Sequence, residues 1–286
     1  MRFIFVKILF ICCFILSLQG CETLKGLASE RSDYSDEYVD WGATKFYEEA
    51  KKAMAAESYS RAIELYQALE SRYPFGEYAA QTQLDIAFAY YKNEDAEAAL
   101  AAVERFIKIN PRSPSADYAY YLKGLISFNR NLGFLYRYVP TDSTQRDPSK
   151  YKESYAHFEE LLTRFPTSQY VADAKQRMIA LRDYLARYEL HVAKFYMKRK
   201  AYMAAINRAG VIVEECQSKY PAPCTSATPY ALQIMEESYT KLGLDDLASD
   251  SRRVYEQNYP KGAPIDIDAN ETFVEDVWDF MGLDQD

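Results

Sequence analysis

The side chains best suited to covalent or metal chemistry are five cysteines and two histidines in a chain of 286 residues. A metal site needs His, Cys or carboxylate ligands converging at short spacings. His157 and His191 each lie in a stretch of helical periodicity beside aromatics, with no cysteine or second histidine at ligand spacing, so no metal site is expected. Nucleophilic and phosphate chemistry needs equally recognisable settings: a Gly-x-Ser-x-Gly elbow, a glycine-rich phosphate loop, a zinc-binding HExxH helix. None occurs. Paired acids such as Glu159-Glu160 and Glu214-Glu215 are plentiful, but on amphipathic helices such pairs form a solvated face. Neither catalysis nor a cofactor is expected.

The cysteines point instead to export. Residues 1–20, "MRFIFVKILFICCFILSLQG", set Arg2 and Lys7 ahead of an apolar run of about 11 residues, which suits a signal peptide and is short for a bilayer span. The segment ends at Leu18-Gln19-Gly20-Cys21, which resembles the bacterial lipobox, with Gln19 where a small residue is usual. Lipidation of Cys21 is the expectation; soluble secretion and a retained anchor are the alternatives. Two or three acyl chains, at roughly 0.8 kcal/mol per buried CH2, hold a protein firmly where one does not. Among proteobacterial lipoproteins Asp after the cysteine signals inner-membrane retention, and this chain has Glu22, which implies the periplasmic face of the outer membrane.

Cleavage removes Cys12 and Cys13 and leaves Cys216 and Cys224 flanking Tyr220-Pro221. An oxidising compartment permits them to pair across that turn; two unpaired thiols are the alternative. Loss of Arg2 and Lys7 moves the formal charge from −8 to about −10, an acidic balance that argues against nucleic acid and anionic lipid and for protein partners.

Apolar residues make up 49% of the chain and charged residues 27%, glycine is scarce, and Ala, Tyr, Glu and Leu are abundant, so the composition predicts an all-α fold. The helices carry their own punctuation. An aromatic or Asn followed by proline recurs at Tyr73-Pro74, Asn110-Pro111, Phe165-Pro166, Tyr220-Pro221 and Tyr259-Pro260. Proline lacks the amide hydrogen that would extend a helix and biases the residue before it away from helical angles, so each is a predicted helix stop.

Counting back twelve, eight and five positions from four of the prolines gives Ala62, Tyr66 and Leu69; Ala99, Val103 and Phe106; Ser154, Phe158 and Leu161; and Ala248, Arg252 and Tyr255. A small residue lets two helices approach and the larger ones fill the groove. Upstream helices repeat the theme with Ala50 and Ala53, Ala87 and Tyr90, Gly124, Ala193 and Tyr196, and Tyr239. The pattern resembles the tetratricopeptide repeat, a helix-turn-helix of about 34 residues. It predicts a superhelical solenoid of five such repeats over residues 43–262, with the fourth stretched by about one turn around Ala205. Stacked pairs share a core and leave a curved receptor surface.

Outside the repeats, residues 21–42 read as the lipidated cysteine and a flexible tether reaching roughly 25 Å. Residues 128–150 interrupt the third unit with Phe134, Tyr136 and Tyr138, which suit either packing or a partner contact. The acidic tail, 263–286, places Phe273, Val277, Phe280 and Met281 at helical spacing, as either a capping helix or a docking peptide.

The order of these features narrows the resemblance. Arg72-Tyr73-Pro74-Phe75-Gly76-Glu77-Tyr78, Gln83-Leu84-Asp85, Ala89-Tyr90-Tyr91-Lys92-Asn93, Arg146-Asp147-Pro148, Leu185-Ala186-Arg187-Tyr188-Glu189 and Ile206-Asn207-Arg208 resemble the BamD family, lipoproteins of the machinery that folds β-barrels into the outer membrane. The resemblance implies an adaptor whose N-terminal repeats receive the aromatic-ended strand of an unfolded barrel protein near Tyr73, Phe75, Gly76 and Tyr78. The other reading is that Phe75-Gly76 is only an inter-repeat turn and Tyr73 a core plug. The resemblance also implies that Arg208 pairs with a carboxylate on the last POTRA domain of BamA, with Arg199 and Lys200 in a supporting basic cluster, and that BamC and BamE are companions. A scaffold for peptidoglycan synthesis and, further off, a cell-wall hydrolase are the rival functions.

Overall fold

The computed structural model describes residues 38–129, 147–214 and 224–263, and among them there are helices and turns but no strand. The helices are α1 (Ala43–Ala55), α2 (Tyr59–Arg72), α3 (Ala79–Lys92), α4 (Ala96–Ile109), α5 (Ala116–Asn129), α6 (Ser149–Arg164), α7 (Val171–Lys198), α8 (Tyr202–Glu214), α9 (Thr228–Lys241) and α10 (Asp245–Asn258). Each packs on the next, and α3 also touches α5 while α7 touches α9. Successive helix pairs stacked this way form a tetratricopeptide-like solenoid. None of the described helices is long and apolar enough to cross a membrane.

Two kinds of turn repeat along the stack. Between units, the helix ends at the residue before proline: Tyr73, Asn110, Phe165 and Tyr259 have φ of −129, −120, −131 and −127°. Each still donates its N–H to the carbonyl four residues back, at 2.8 to 2.9 Å. The carbonyl of the same residue then accepts from Gly76, Ser113, Ser168 and Gly262 respectively, at 3.0 to 3.2 Å. Four of the five predicted proline stops are therefore real stops of one geometry; Tyr220-Pro221 lies outside the described residues.

Within units, the two helices are joined through a single left-handed residue: Glu57, Glu94, Lys200 and Gly243, with φ of 56, 63, 59 and 71°. The following N–H, from Ser58, Asp95, Ala201 or Leu244, reaches back to the carbonyl of Ala53, Tyr90, Tyr196 or Tyr239 at 2.9 to 3.0 Å. This is the Schellman closure of a helix C-terminus, which normally favours glycine. Three of the four positions carry a charged residue instead, so this turn is invisible to a search for Gly.

The repeat positions fill the core as their spacing predicts in the first three units: Ala62, Tyr66, Leu69, Ala99, Val103, Phe106, Ser154, Phe158 and Leu161 are all buried. In the last unit Ala248 is buried but Arg252 is exposed and binds Glu236 through Nε at 2.7 Å. The fourth unit differs by its first helix, since α7 runs for 28 residues against 13 to 16 elsewhere. The expected tether is shortened at its end: Tyr38 is buried, Trp41 packs edge-on to it at 4.8 Å, and Arg72 donates to the Tyr38 carbonyl. Residues 38–42 thus belong to the fold, covering the first helix pair. The signal, Cys21, most of the tether, residues 130–146, Cys216 and the tail from 264 lie outside the described residues.

The tightest crossing is between α5 and α6. A Cβ on Gly124 would lie 2.4 to 2.9 Å from ring atoms of Phe158, and the Ser154 hydroxyl donates to the Gly124 carbonyl at 3.1 Å. Gly124→Ala is therefore expected to overpack this joint and cost about 1–3 kcal/mol in urea unfolding. Gly210→Ala, in α8 with nothing within 4 Å of the new Cβ, is the opposite case and should gain about 0.5–1 kcal/mol from helix propensity.

Candidate functional site

The residues from 73 to 78 are positioned by the first inter-unit turn, and the structure separates them. Tyr73 closes α2 and plugs the core below it, its hydroxyl donating to the Trp41 carbonyl at 3.0 Å. Tyr78 stands just before α3 and stacks on Tyr47 of α1 at 4.6 Å and 19°. Tyr170, at the same place before α7, stacks on Tyr121 of α5 at 4.7 Å and 14°. The tyrosine before the helix is thus a joint between units, and Tyr78 is engaged within the fold. Gly76 is not required by the backbone: an added Cβ would meet Tyr73 at an ordinary 3.5 Å, and Ser113 and Ser168 occupy its place in two of the three other turns, with Gly262 in the third.

Phe75 is the residue left over. Arg112, Thr167 and Lys261 occupy its place in the other turns and are exposed, so the turn demands no aromatic there. Phe75 is 97% exposed, a large apolar side chain on which the fold spends nothing. It stands on a groove of about 780 Å³ between α2, the start of α3 and α4, which also carries Pro74, Ala79, Ala80 and Ile109; Ile109 is 54% exposed. The walls are held apart by polar bonds: Arg105 Nη2 to Glu70 Oε1 at 2.5 Å, and Asn110 Nδ2 to Gln83 Oε1 at 2.9 Å. Such a groove, apolar at its lip and polar at its walls, suits an extended peptide with an aromatic side chain.

The second candidate region lies on the fourth unit. Arg208 projects from α8, half exposed, and its Nη1 binds Glu189 Oε2 of α7 at 3.0 Å, with Glu189 the more buried partner. Arg208 is therefore already paired within the chain, and its remaining N–H groups face outward. Arg199 caps α7 and lies over the Phe195 ring at 4.5 Å, while Lys200 is the left-handed residue of the turn. Both are exposed, as are the adjacent Phe195 and Met203. The structure thus places Arg199 and Lys200 together at the α7–α8 turn and Arg208 further along α8. Cys224 is disulfide-bonded.

A third feature had no signal in the sequence beyond an acid in a helix. Between α1 and α3 a cavity of about 280 Å³ is lined by Lys51, Met54, Ala55, Tyr66, Asp85 and Phe88. Asp85 Oδ1 accepts from Gln81 Nε2 at 2.8 Å, and the Tyr47 and Tyr66 hydroxyls face the carboxylate. Neither Asp85 Oδ2 nor Tyr66 Oη completes a hydrogen bond. Burial raises the Asp85 carboxyl above its ordinary value, outweighing the opposing effects of Gln81, Lys51 and the two phenols. Burial, then the Asp85 charge, pushes the Tyr47 phenol up to about 12. His157, the half-buried histidine of α6, meets the Ser127 hydroxyl at 2.9 Å, and burial followed by the Lys123 charge lowers its pKa. Among the described residues no group of three or more His, Cys, Asp or Glu could hold a metal.

The family model described as outer membrane lipoprotein, YfiO, matches residues 40–254. The chain belongs to this family. Its relatives carry the BamD name. A protein of Neisseria meningitidis serogroup A, named outer membrane protein assembly factor BamD, is 44% identical over 246 residues, 86% of this chain and 88% of the relative. The protein of that name from Vibrio cholerae is 38% identical over 83% of this chain and 98% of its own length. The one from Haemophilus influenzae is 34% identical over 78% and 83%. The BamD-family match thus spans both candidate regions.

Two outcomes follow from this geometry. Phe75→Ala should leave thermal unfolding unchanged within about 0.5 kcal/mol, since an exposed side chain carries no packing; circular dichroism melting checks it. Asp85 has a folded-state pKa above its ordinary 3.8, so its contribution to stability is fully present below the unfolded value and is lost as pH rises through the folded one. Asp85→Asn, permanently neutral, should melt above the parent protein at pH 7, with the gap closing as pH falls below about 4.

Proposed function

We propose that this chain is a lipid-anchored outer membrane protein assembly factor. In this reading it is an adaptor, without enzymatic activity, that receives unfolded β-barrel proteins on its N-terminal repeats and couples them to the POTRA region of BamA through its C-terminal half. The observation that carries the reading is the 44% identity, over 86% of the chain, to a protein named for that role. Phe75 supports the first half, because a fully exposed aromatic on a groove gains from contact with an aromatic chain end by burying area that water otherwise covers. Arg208, Arg199 and Lys200 support the second, because a basic patch on an acidic chain orients an acidic partner.

The anchor is assigned to Cys21, which puts the solenoid at the periplasmic face of the outer membrane. The disulfide of Cys224 is assigned to Cys216, the near partner across Tyr220-Pro221 in a compartment that permits oxidation. BamC and BamE are the companions such a complex would add. A pull-down from detergent-solubilised outer membrane tests the whole: recovery of BamA with the tagged chain supports it, and recovery of peptidoglycan synthases in its place overturns it.

The pairing of Arg208 with Glu189 sharpens the test of the partner contact. If Arg208 reaches a carboxylate on BamA, Arg208→Ala should weaken co-purification about tenfold, the worth of one charge-assisted bond. Glu189→Ala, which frees the same guanidinium, should retain it. Equal loss in both variants would assign the pair a purely internal role, in positioning α8 on α7.

A further inference from the structure

The cavity between α1 and α3 is separate from the groove around Phe75, and capture of an aromatic chain end makes no use of it. Its polar groups are out of balance. Asp85 Oδ2 and Tyr66 Oη complete no hydrogen bond, and Tyr66 is wholly buried, so its hydroxyl has as partners only the Asp85 carboxylate it faces and whatever enters the cavity. A buried polar group left unpaired is costly to the fold. Two such oxygens side by side on the wall of one cavity mark a place for a ligand.

The chemistry of the lining selects among occupants. A carboxylate or phosphate would be repelled by Asp85, and an apolar side chain would leave both oxygens unpaired. A nitrogen cation carries several N–H donors on one centre and satisfies the carboxylate oxygen and the phenol oxygens of Tyr66 and Tyr47 together. Met54, Ala55 and Phe88 supply apolar wall for an alkyl stem, and the rings around the carboxylate attract a cation on their faces. Lys51 stands exposed at the rim; its field reaches Asp85, but solvent screens it and it makes no ion pair there.

We propose that this cavity is a side-chain pocket for a basic residue, Lys or Arg, of a polypeptide laid along the first helices, with its ammonium or guanidinium seated between Asp85 and the Tyr66 hydroxyl. The proposal rests on the reading of the chain as a receiver of unfolded polypeptide and adds to it a charge preference at the first helices. The groove at Phe75 lies between second helices, so the two sites take different parts of a polypeptide.

The test uses the full-length chain in detergent and fluorescently labelled extended peptides, all ending in Phe and carrying a single central Lys, Arg or norleucine. Fluorescence anisotropy should show the Lys and Arg peptides binding about tenfold more tightly than the norleucine peptide, as expected for charge-assisted hydrogen bonds to a shielded carboxylate. Asp85→Asn and Tyr66→Phe should each abolish that ratio while leaving the affinity for the norleucine peptide in place. Tyr66→Phe removes one oxygen and keeps the ring, so an undiminished melting temperature certifies that the fold survives. Equal binding of Lys and norleucine peptides to the parent protein, or a ratio that survives either substitution, overturns the pocket and leaves the broader function standing. Failure of every peptide to bind overturns the polypeptide-receiving function and the pocket with it.

Discussion

Helices in this chain approach until no side chain fits between them, and the rest of the structure depends on that closeness. At Gly124 a single added carbon would collide with the ring of Phe158; at Ala62, Ala87, Ala99, Ala193 and Ala205 the methyl group is completely buried. Close crossings let larger neighbours such as Tyr66, Phe106 and Leu161 interdigitate at full density. They also fix the offset of each pair on the next, because a shifted helix would put a large residue where only a small one fits. Packing of this kind along the whole stack would hold the sites proposed in its first and fourth units at a fixed separation.

The turns preserve that offset. Proline-terminated turns between units share one backbone geometry, and left-handed turns within units share another. Placing Glu57, Glu94 or Lys200 in the left-handed region costs each something that glycine would not. The Schellman hydrogen bonds and the packing of both flanking helices hold them there. The ends of the stack relax these demands: Arg252 replaces an apolar residue and pairs with Glu236 in solvent, while Tyr38 and Trp41 cover the first pair from the other side.

Once each repeat position is assigned its structural duty, a few residues have none. Phe75 occupies a turn position that Arg, Thr or Lys fills elsewhere. Asp85 and Tyr66 bring two oxygens without a completed hydrogen bond to the wall of one cavity. Comparing equivalent positions within one chain removes Tyr73, Gly76 and Tyr78 from that group, since each has a counterpart or a partner within the fold. Arg208 stands between the two classes, bound to Glu189 yet still offering donors to solvent.

The sequence by itself determined the helical class, the register of the repeats and the helix stops, because these depend on local chemistry: proline removes a donor, small residues recur at crossings, and apolar residues follow the helical period. It also carried the family, through runs such as Tyr73-Pro74-Phe75-Gly76. Tertiary structure alone decided which aromatics are free, since Tyr78 and Phe75 look alike in sequence and differ only by whether Tyr47 lies opposite. The length of α7, the docking of Tyr38 under Arg72 and the convergence of Asp85 with Tyr66 were likewise decided by contacts between residues distant along the chain. No local pattern encodes such contacts, because they exist only once neighbouring helices have closed on one another.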